Sequence, residues 1–175
     1  MVGREYYVPG QTFIVRGAIL VALAALLEAA LSPFLTFGWV GPKFVVLGVV
    51  VAVTNLRELQ ALLLGFFGGV LVDALGGEHF GVGALSGILA AAISVRFSAA
   101  RLKGEARLVL TQAAAVAAYD VLGLLAPILA GSEGPPLGRY LLGGVVPDVL
   151  LNAFLAYLVG GWLLRLVTTK EERWT

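Results

Sequence analysis

The sequence contains no cysteine and a single histidine, His79. The lack of cysteine excludes disulfide bonds, thiol catalysis and cysteine-ligated zinc, and one histidine leaves little for any other metal site. Charge is also scarce, because only 13% of the residues are charged, against roughly 25% in soluble domains. The sequence therefore predicts no metal and no cofactor, and its composition is not that of a water-soluble domain.

The sequence is rich in apolar residues, with 59% hydrophobic residues and a mean hydropathy of +0.95. They form runs close to the ~20 residues that cross a bilayer, separated by short polar, glycine-rich or proline-rich breaks. We predict an all-α polytopic membrane protein with one transmembrane domain over residues 1–175. The six predicted spans are 17–35, 38–56, 59–76, 80–97, 107–131 and 140–167. The second is the weakest, because its unbroken apolar run, 44–54, is too short to cross alone.

The distribution of lysine and arginine predicts the orientation of these spans, because cytoplasmic loops retain positive charge. With six spans, ten basic residues fall on the side of the termini and only Lys43 and Arg139 fall opposite. Both termini are therefore expected on the cytoplasmic side of the membrane. The basic residues are spread among loops and form no single patch, so nucleic acid is not expected as a partner.

Polar residues inside the predicted spans need a reason, because an aspartate near a helix centre costs about 2.5 to 3.5 kcal/mol on insertion. Counting about 1.5 Å per residue from the nearest inner arginine places them about 18 to 26 Å from the inner face. Asp148 and Asn152 are four residues apart and share a helix face. These partner-binding or buried polar candidates are Glu28, Asp73, Asp120, Asp148 and Asn152.

No lysine or arginine is predicted at that depth, so the acids are expected to be protonated or hydrogen-bonded. The candidate partners are Tyr119, Thr111, Ser86 and Asn152. Three roles stay open for this polar set: contacts between helices of the bundle, a surface for a membrane partner, and a small-molecule or ion pocket. Our hypothesis is that the set, with Asp73 beside a row of glycines, recognises a membrane partner.

Two rows of small residues predict a close helix pair. The third span carries Gly65, Gly69 and Gly76 on one side, and the fourth carries Gly83 and Gly87 four residues apart. Small residues at such spacing let helix backbones approach closely in membranes. The short turn between these spans makes them antiparallel neighbours, so the two rows are expected to face each other.

An enzymatic function is not expected. The tetrapeptide from Ala84 to Gly87 (ALSG) is close to the G-x-S-G of rhomboid-type intramembrane proteases, with alanine in place of the first glycine. A serine nucleophile also needs a base, and His79 lies in a turn seven residues before Ser86. His79 is expected in a solvated loop.

Three segments resemble the MreD family of rod shape-determining proteins. They are Gly65–Asp73 (GFFGGVLVD), Gly81–Leu85 (GVGAL) and Asn152–Ala156 (NAFLA). The resemblance implies a non-enzymatic scaffold of the bacterial cell-wall elongation complex, which maintains rod shape. It also implies MreC as the direct partner, with RodA, its transpeptidase and MreB filaments as further partners.

A second interpretation is the substrate-binding component of an energy-coupling-factor vitamin transporter, to whose six-helix bundle the MreD fold is similar. In that family a row of small residues on the first helix docks on the coupling subunit. Ala25 and Ala29 would supply such a row here.

Overall fold

The computed structural model describes residues 11–54, 56–76, 81–98 and 104–167, which contain helices and no β-strand. This confirms the predicted all-α fold. The expected loop position of His79 lies outside the described residues, as do Arg4, Arg101, Lys103, Lys170 and Arg173 from the orientation argument. The helices are α1 (Gln11–Leu35), α2 (Phe44–Ala52), α3 (Glu58–Gly76), α4 (Val82–Ser98), α5 (Gly104–Leu129) and α6 (Leu137–Val167).

The described part of the chain exposes large apolar side chains and buries several polar ones beside a core made mostly of valine and alanine. Large side chains such as Phe34 and Leu142 are 78% and 77% exposed, whereas Asp148 and Asn152 are buried. Such a surface is unfavourable in water and suits lipid, where burying apolar groups between helices gains little. Four helices, α1, α3, α5 and α6, are long and apolar enough to span a membrane, and α4 is a shorter apolar helix. The protein is therefore a multi-pass membrane protein.

Helix α2 is short and lies at the centre of the bundle. It packs against each of the other five helices, and every residue from Val45 to Ala52 is buried. A helix that is hydrophobic on all sides belongs in an interior. The predicted second span, 38–56, is thus helical only over nine residues, or about 14 Å. Six membrane crossings therefore stay a prediction.

The residues before α2 explain why the helix begins only at Phe44 and not at residue 38. Gly38 adopts a positive φ of 64°, and Phe37 and Val40 bond each other's backbone in a tight turn. Pro42 then disfavours helical backbone at Gly41. Residues 36–43 therefore enter the bundle as irregular chain.

Helix α6 contains a π-helical turn at Leu141–Val145. Pro147 follows it and has no N–H for the Gly143 carbonyl four residues earlier, which removes one helical hydrogen bond. Widened turns of this kind accommodate such a gap. The turn lies just before Asp148 and Asn152, which both face the interior.

Candidate functional site

The polar candidates of α6 hold the irregular segment 36–43 in place. The Gly41 N–H donates to Asp148 Oδ1 at 2.7 Å, and the Lys43 N–H donates to Asn152 Oδ1 at 2.7 Å. The Asn152 amide in turn donates to the Gly41 carbonyl at 3.0 Å. Irregular backbone at membrane depth is tolerated only where such partners exist. Asp148 and Asn152 therefore replace the hydrogen bonds that a helix would have supplied.

Glu28 of α1 caps the first turn of α2. Its Oε2 accepts the Val45 N–H at 2.8 Å. The first N–H groups of a helix have no partner within it, and a carboxylate there also complements the helix dipole. Lys43, at the N-cap position, makes no such bond with its own side chain, so the cap comes from a different helix.

Lys43 lies among the acids. Its Nζ is 3.8 Å from Asp148 Oδ2 and 4.8 Å from the centre of the Tyr119 ring. The prediction that no basic residue lies at the depth of the acids is therefore wrong. In a continuous span over 38–56 Lys43 would lie near the membrane boundary, whereas in the structure residues 36–43 fold inward and carry Lys43 with them.

Asp120 of α5 belongs to the same polar cluster. Its side chain is within hydrogen-bonding reach of the Asp148 side chain, and its backbone carbonyl accepts the Tyr140 hydroxyl at 3.1 Å. The structure thus brings Glu28, Asp120, Asp148 and Asn152 together around the start of α2.

Asp73 of α3 also accepts backbone N–H groups, and these belong to the start of α4. Its Oδ2 accepts the N–H groups of Gly81 and Ala84 at 2.9 and 3.0 Å, and its Oδ1 accepts that of Gly83 at 2.8 Å. Asp73 is buried, so both oxygens are occupied inside the bundle. It ties the end of α3 to the first turn of α4.

The small residues of α3 and α4 meet as two close rows. A Cβ placed on Gly65 would overlap the carbonyl oxygen of Gly87, and one on Gly69 would overlap that of Gly83. Gly76 ends α3, and a Cβ there would meet no atom within 4 Å. The close contact therefore consists of Gly65, Gly69, Gly83 and Gly87, without Gly76.

The hydrogen-bond partners expected for the acids have other roles. The Ser86 and Thr111 hydroxyls donate to carbonyls one turn earlier in their own helices, at 2.6 and 2.7 Å. Glu28, Asp73 and Asp148 bond backbone N–H groups instead, whereas the Asp120 side chain lies beside that of Asp148. Gly41 and Pro42 are the sequence signal for these hydrogen bonds. A helix that begins after a glycine and a proline has first N–H groups without partners in the helix, and other residues must accept them.

Gln112 was not among the sequence candidates. It is fully buried in α5, and neither its amide nitrogen nor its amide oxygen has a partner in the described part of the chain. A buried amide without partners is costly. The sequence signal for it is a glutamine inside the predicted span 107–131.

A cavity of about 10 Å³ lies between α1, α2, α5 and the α3–α4 pair, lined by Glu28, Tyr119 and Gly83 among others. That volume holds about one water molecule. Small-molecule pockets are roughly 300 to 1,000 Å³, so this cavity gives the vitamin-transporter interpretation no binding site. Within residues 11–54, 56–76, 81–98 and 104–167, no three acidic or histidine side chains are grouped to hold a metal ion.

Asn152 offers a test of the link between α6 and the irregular segment. We expect Asn152→Leu to destabilise the protein by about 2 to 3 kcal/mol, because it leaves the Lys43 N–H and the Gly41 carbonyl without partners. Thermal unfolding in detergent micelles measures this. Phe154→Leu, on the exposed side of the same helix, is the control and should change stability by less than about 0.5 kcal/mol. Equal melting temperatures for the two variants would contradict the role of Asn152.

Comparison with known proteins gives one match. No curated protein and no solved structure matches the chain, so the likeness of the bundle to a vitamin-transporter component stays a prediction. The family model described as rod shape-determining protein MreD matches residues 11–170 of the 175. That range includes the irregular segment, the acids that hold it and the α3–α4 contact. The chain therefore belongs to the MreD family of rod shape-determining membrane proteins.

Proposed function

We propose that this protein is a non-enzymatic scaffold subunit of the bacterial cell-wall elongation complex, and that it binds MreC directly. Membership of the MreD family is the observation that carries the proposal. The buried polar residues support it, because Glu28, Asp73, Asp148 and Asn152 all bond backbone groups of the same chain. Residues engaged in this way are structural supports and not a catalytic constellation.

The same hydrogen bonds support a partner site on the outside of the bundle. Recognition of a partner through the polar set stays a prediction. Because both oxygens of Asp73 already accept backbone N–H groups, we propose that apolar surfaces of the bundle supply the main contact. Membrane helices associate by van der Waals packing of complementary faces. The exposed sides of α1, α3, α5 and α6 carry large apolar residues that suit a single transmembrane helix such as that of MreC.

We place both termini in the cytoplasm, on the basis of the ten-to-two distribution of basic residues. RodA and its transpeptidase would then meet the bundle within the membrane, and MreB filaments would approach from the cytoplasmic side. Each of these contacts is direct or passes through MreC.

Site-specific photocrosslinking tests the proposal in a rod-shaped bacterium that carries this protein and its own MreC in place of the host proteins. A photoreactive amino acid is placed at the exposed positions Leu23, Phe67, Val121 and Trp162, one on each long helix, and at buried Val49 as the control. We expect MreC to be captured from at least one exposed position and not from Val49. Capture from none of the four, or failure of MreC to co-purify with the unmodified protein, would overturn the proposal.

A further inference from the structure

Two buried carboxyl oxygens in the polar cluster have no donor. Asp120 and Asp148 are 5% and 0% exposed, and the Oδ2 atom of each lacks a hydrogen-bond partner. The two side chains nevertheless lie within hydrogen-bonding reach of each other. Ionised carboxylates only accept hydrogen bonds, so this arrangement is unfavourable while both groups are charged. With one proton between them, one carboxyl group would donate a hydrogen bond to the other.

The surrounding donors indicate which aspartate carries the proton. Asp148 has the Gly41 N–H on Oδ1 and the Lys43 ammonium 3.8 Å from Oδ2, and both favour its ionised form. The side chain of Asp120 receives neither, since the Tyr140 hydroxyl bonds its backbone carbonyl. A protonated Asp120 that donates to Asp148 therefore fits the geometry.

Among the described residues, the neighbouring elements bring one cation, Lys43, and one further carboxyl, Glu28, near the pair. Glu28 on α1 is engaged by the start of α2, and Tyr119 and Tyr140 contribute neutral hydroxyls. Asp73 lies apart at the start of α4 and is satisfied there. Lys43 from the irregular segment is then the counter-ion of a single ionised aspartate in the pair.

We propose that Asp120 and Asp148 form a proton-binding site that joins α5 to α6 and, through Gly41 and Lys43, to the segment 36–43. With the proton bound, the two carboxyl groups share a hydrogen bond and carry one negative charge between them, which Lys43 balances. Loss of the proton would place two negative charges side by side in an interior of low dielectric, which is strongly repulsive. The packing of segment 36–43 thus depends on pH. This inference is independent of MreC binding.

The sequence makes a direct test possible, because it contains only three aspartates, Asp73, Asp120 and Asp148. Protein labelled with heavy carbon at the aspartate carboxyl is examined by infrared spectroscopy in lipid vesicles. At neutral pH we expect one protonated and two ionised aspartates, and we expect Asp120→Asn to remove the protonated signal. Three ionised aspartates in the unaltered protein would overturn the proposal, whether or not the variant folds, and so would a protonated signal that survives Asp120→Asn.

Thermal unfolding gives a second test with a definite sign. A folded state that retains one proton more than the unfolded state becomes less stable as pH rises. Between about pH 5 and about pH 7, where the aspartates of the unfolded chain are ionised, we expect the melting temperature of the unaltered protein to fall by about 3 to 5 °C more per pH unit than that of Asp120→Asn. The asparagine amide donates to Asp148 without a titratable proton, so this variant should fold and lose that dependence. Equal slopes for the two proteins would reject the site.

Discussion

Replacing Asp73 with leucine is expected to destabilise the protein by about 3 to 5 kcal/mol, because three backbone N–H groups lose their acceptor at once. These belong to Gly81, Gly83 and Ala84 and lie at the start of α4. Sequence reasoning alone suggests that the change is tolerated, since it removes a buried acid. The hydrogen bonds reverse that expectation. Thermal unfolding in detergent micelles should show a melting temperature lower by about 10 °C.

Ala74→Leu is the matched control for Asp73→Leu. It adds the same side chain one residue further along α3, at an exposed position, and should leave stability nearly unchanged. Asp73→Asn keeps one acceptor oxygen and should fall between the two. Equal melting temperatures for Asp73→Leu and Ala74→Leu would disprove the capping role of Asp73.

Replacing Gly69 with leucine is expected to separate α3 from α4 at a cost of at least about 3 kcal/mol. Even a methyl group at this position would overlap the backbone of Gly83, and backbone atoms cannot rotate away as a side chain can. Overpacked interiors typically cost about 1 to 3 kcal/mol for smaller insertions. Gly69→Ala should therefore destabilise in the same direction by less. Chemical or thermal unfolding in micelles gives both values.

The control for Gly69 is Gly143→Leu. Gly143 is exposed within α6, and a Cβ there would meet nothing within 4 Å. Removal of a helical glycine should leave stability unchanged or raise it by up to about 1 kcal/mol. Gly131 is unsuited as a control, because its φ of +80° would strain any other residue. A Gly69→Leu variant as stable as Gly143→Leu would show that the two rows are not in close contact.

The sequence by itself determined the membrane character, the all-α fold and the facing glycine rows of α3 and α4. These features are local: hydropathy is summed over one span, and the spacing of Gly65 and Gly69 decides which side of one helix they occupy. The short turn between the helices then makes them neighbours. The family resemblance was likewise carried by contiguous segments, from Gly65 to Asp73 and from Asn152 to Ala156.

Only the tertiary structure decided what the buried acids do. Gly41 and Asp148 are 107 residues apart in the chain, and no periodicity within one helix predicts that they meet. Depth counting assumed unbroken helices, so it could not foresee that residues 36–43 fold inward and bring Lys43 to Asp148. An irregular backbone exposes N–H groups whose partners must come from other helices. The fold placed Glu28, Asp148 and Asn152 where those groups point.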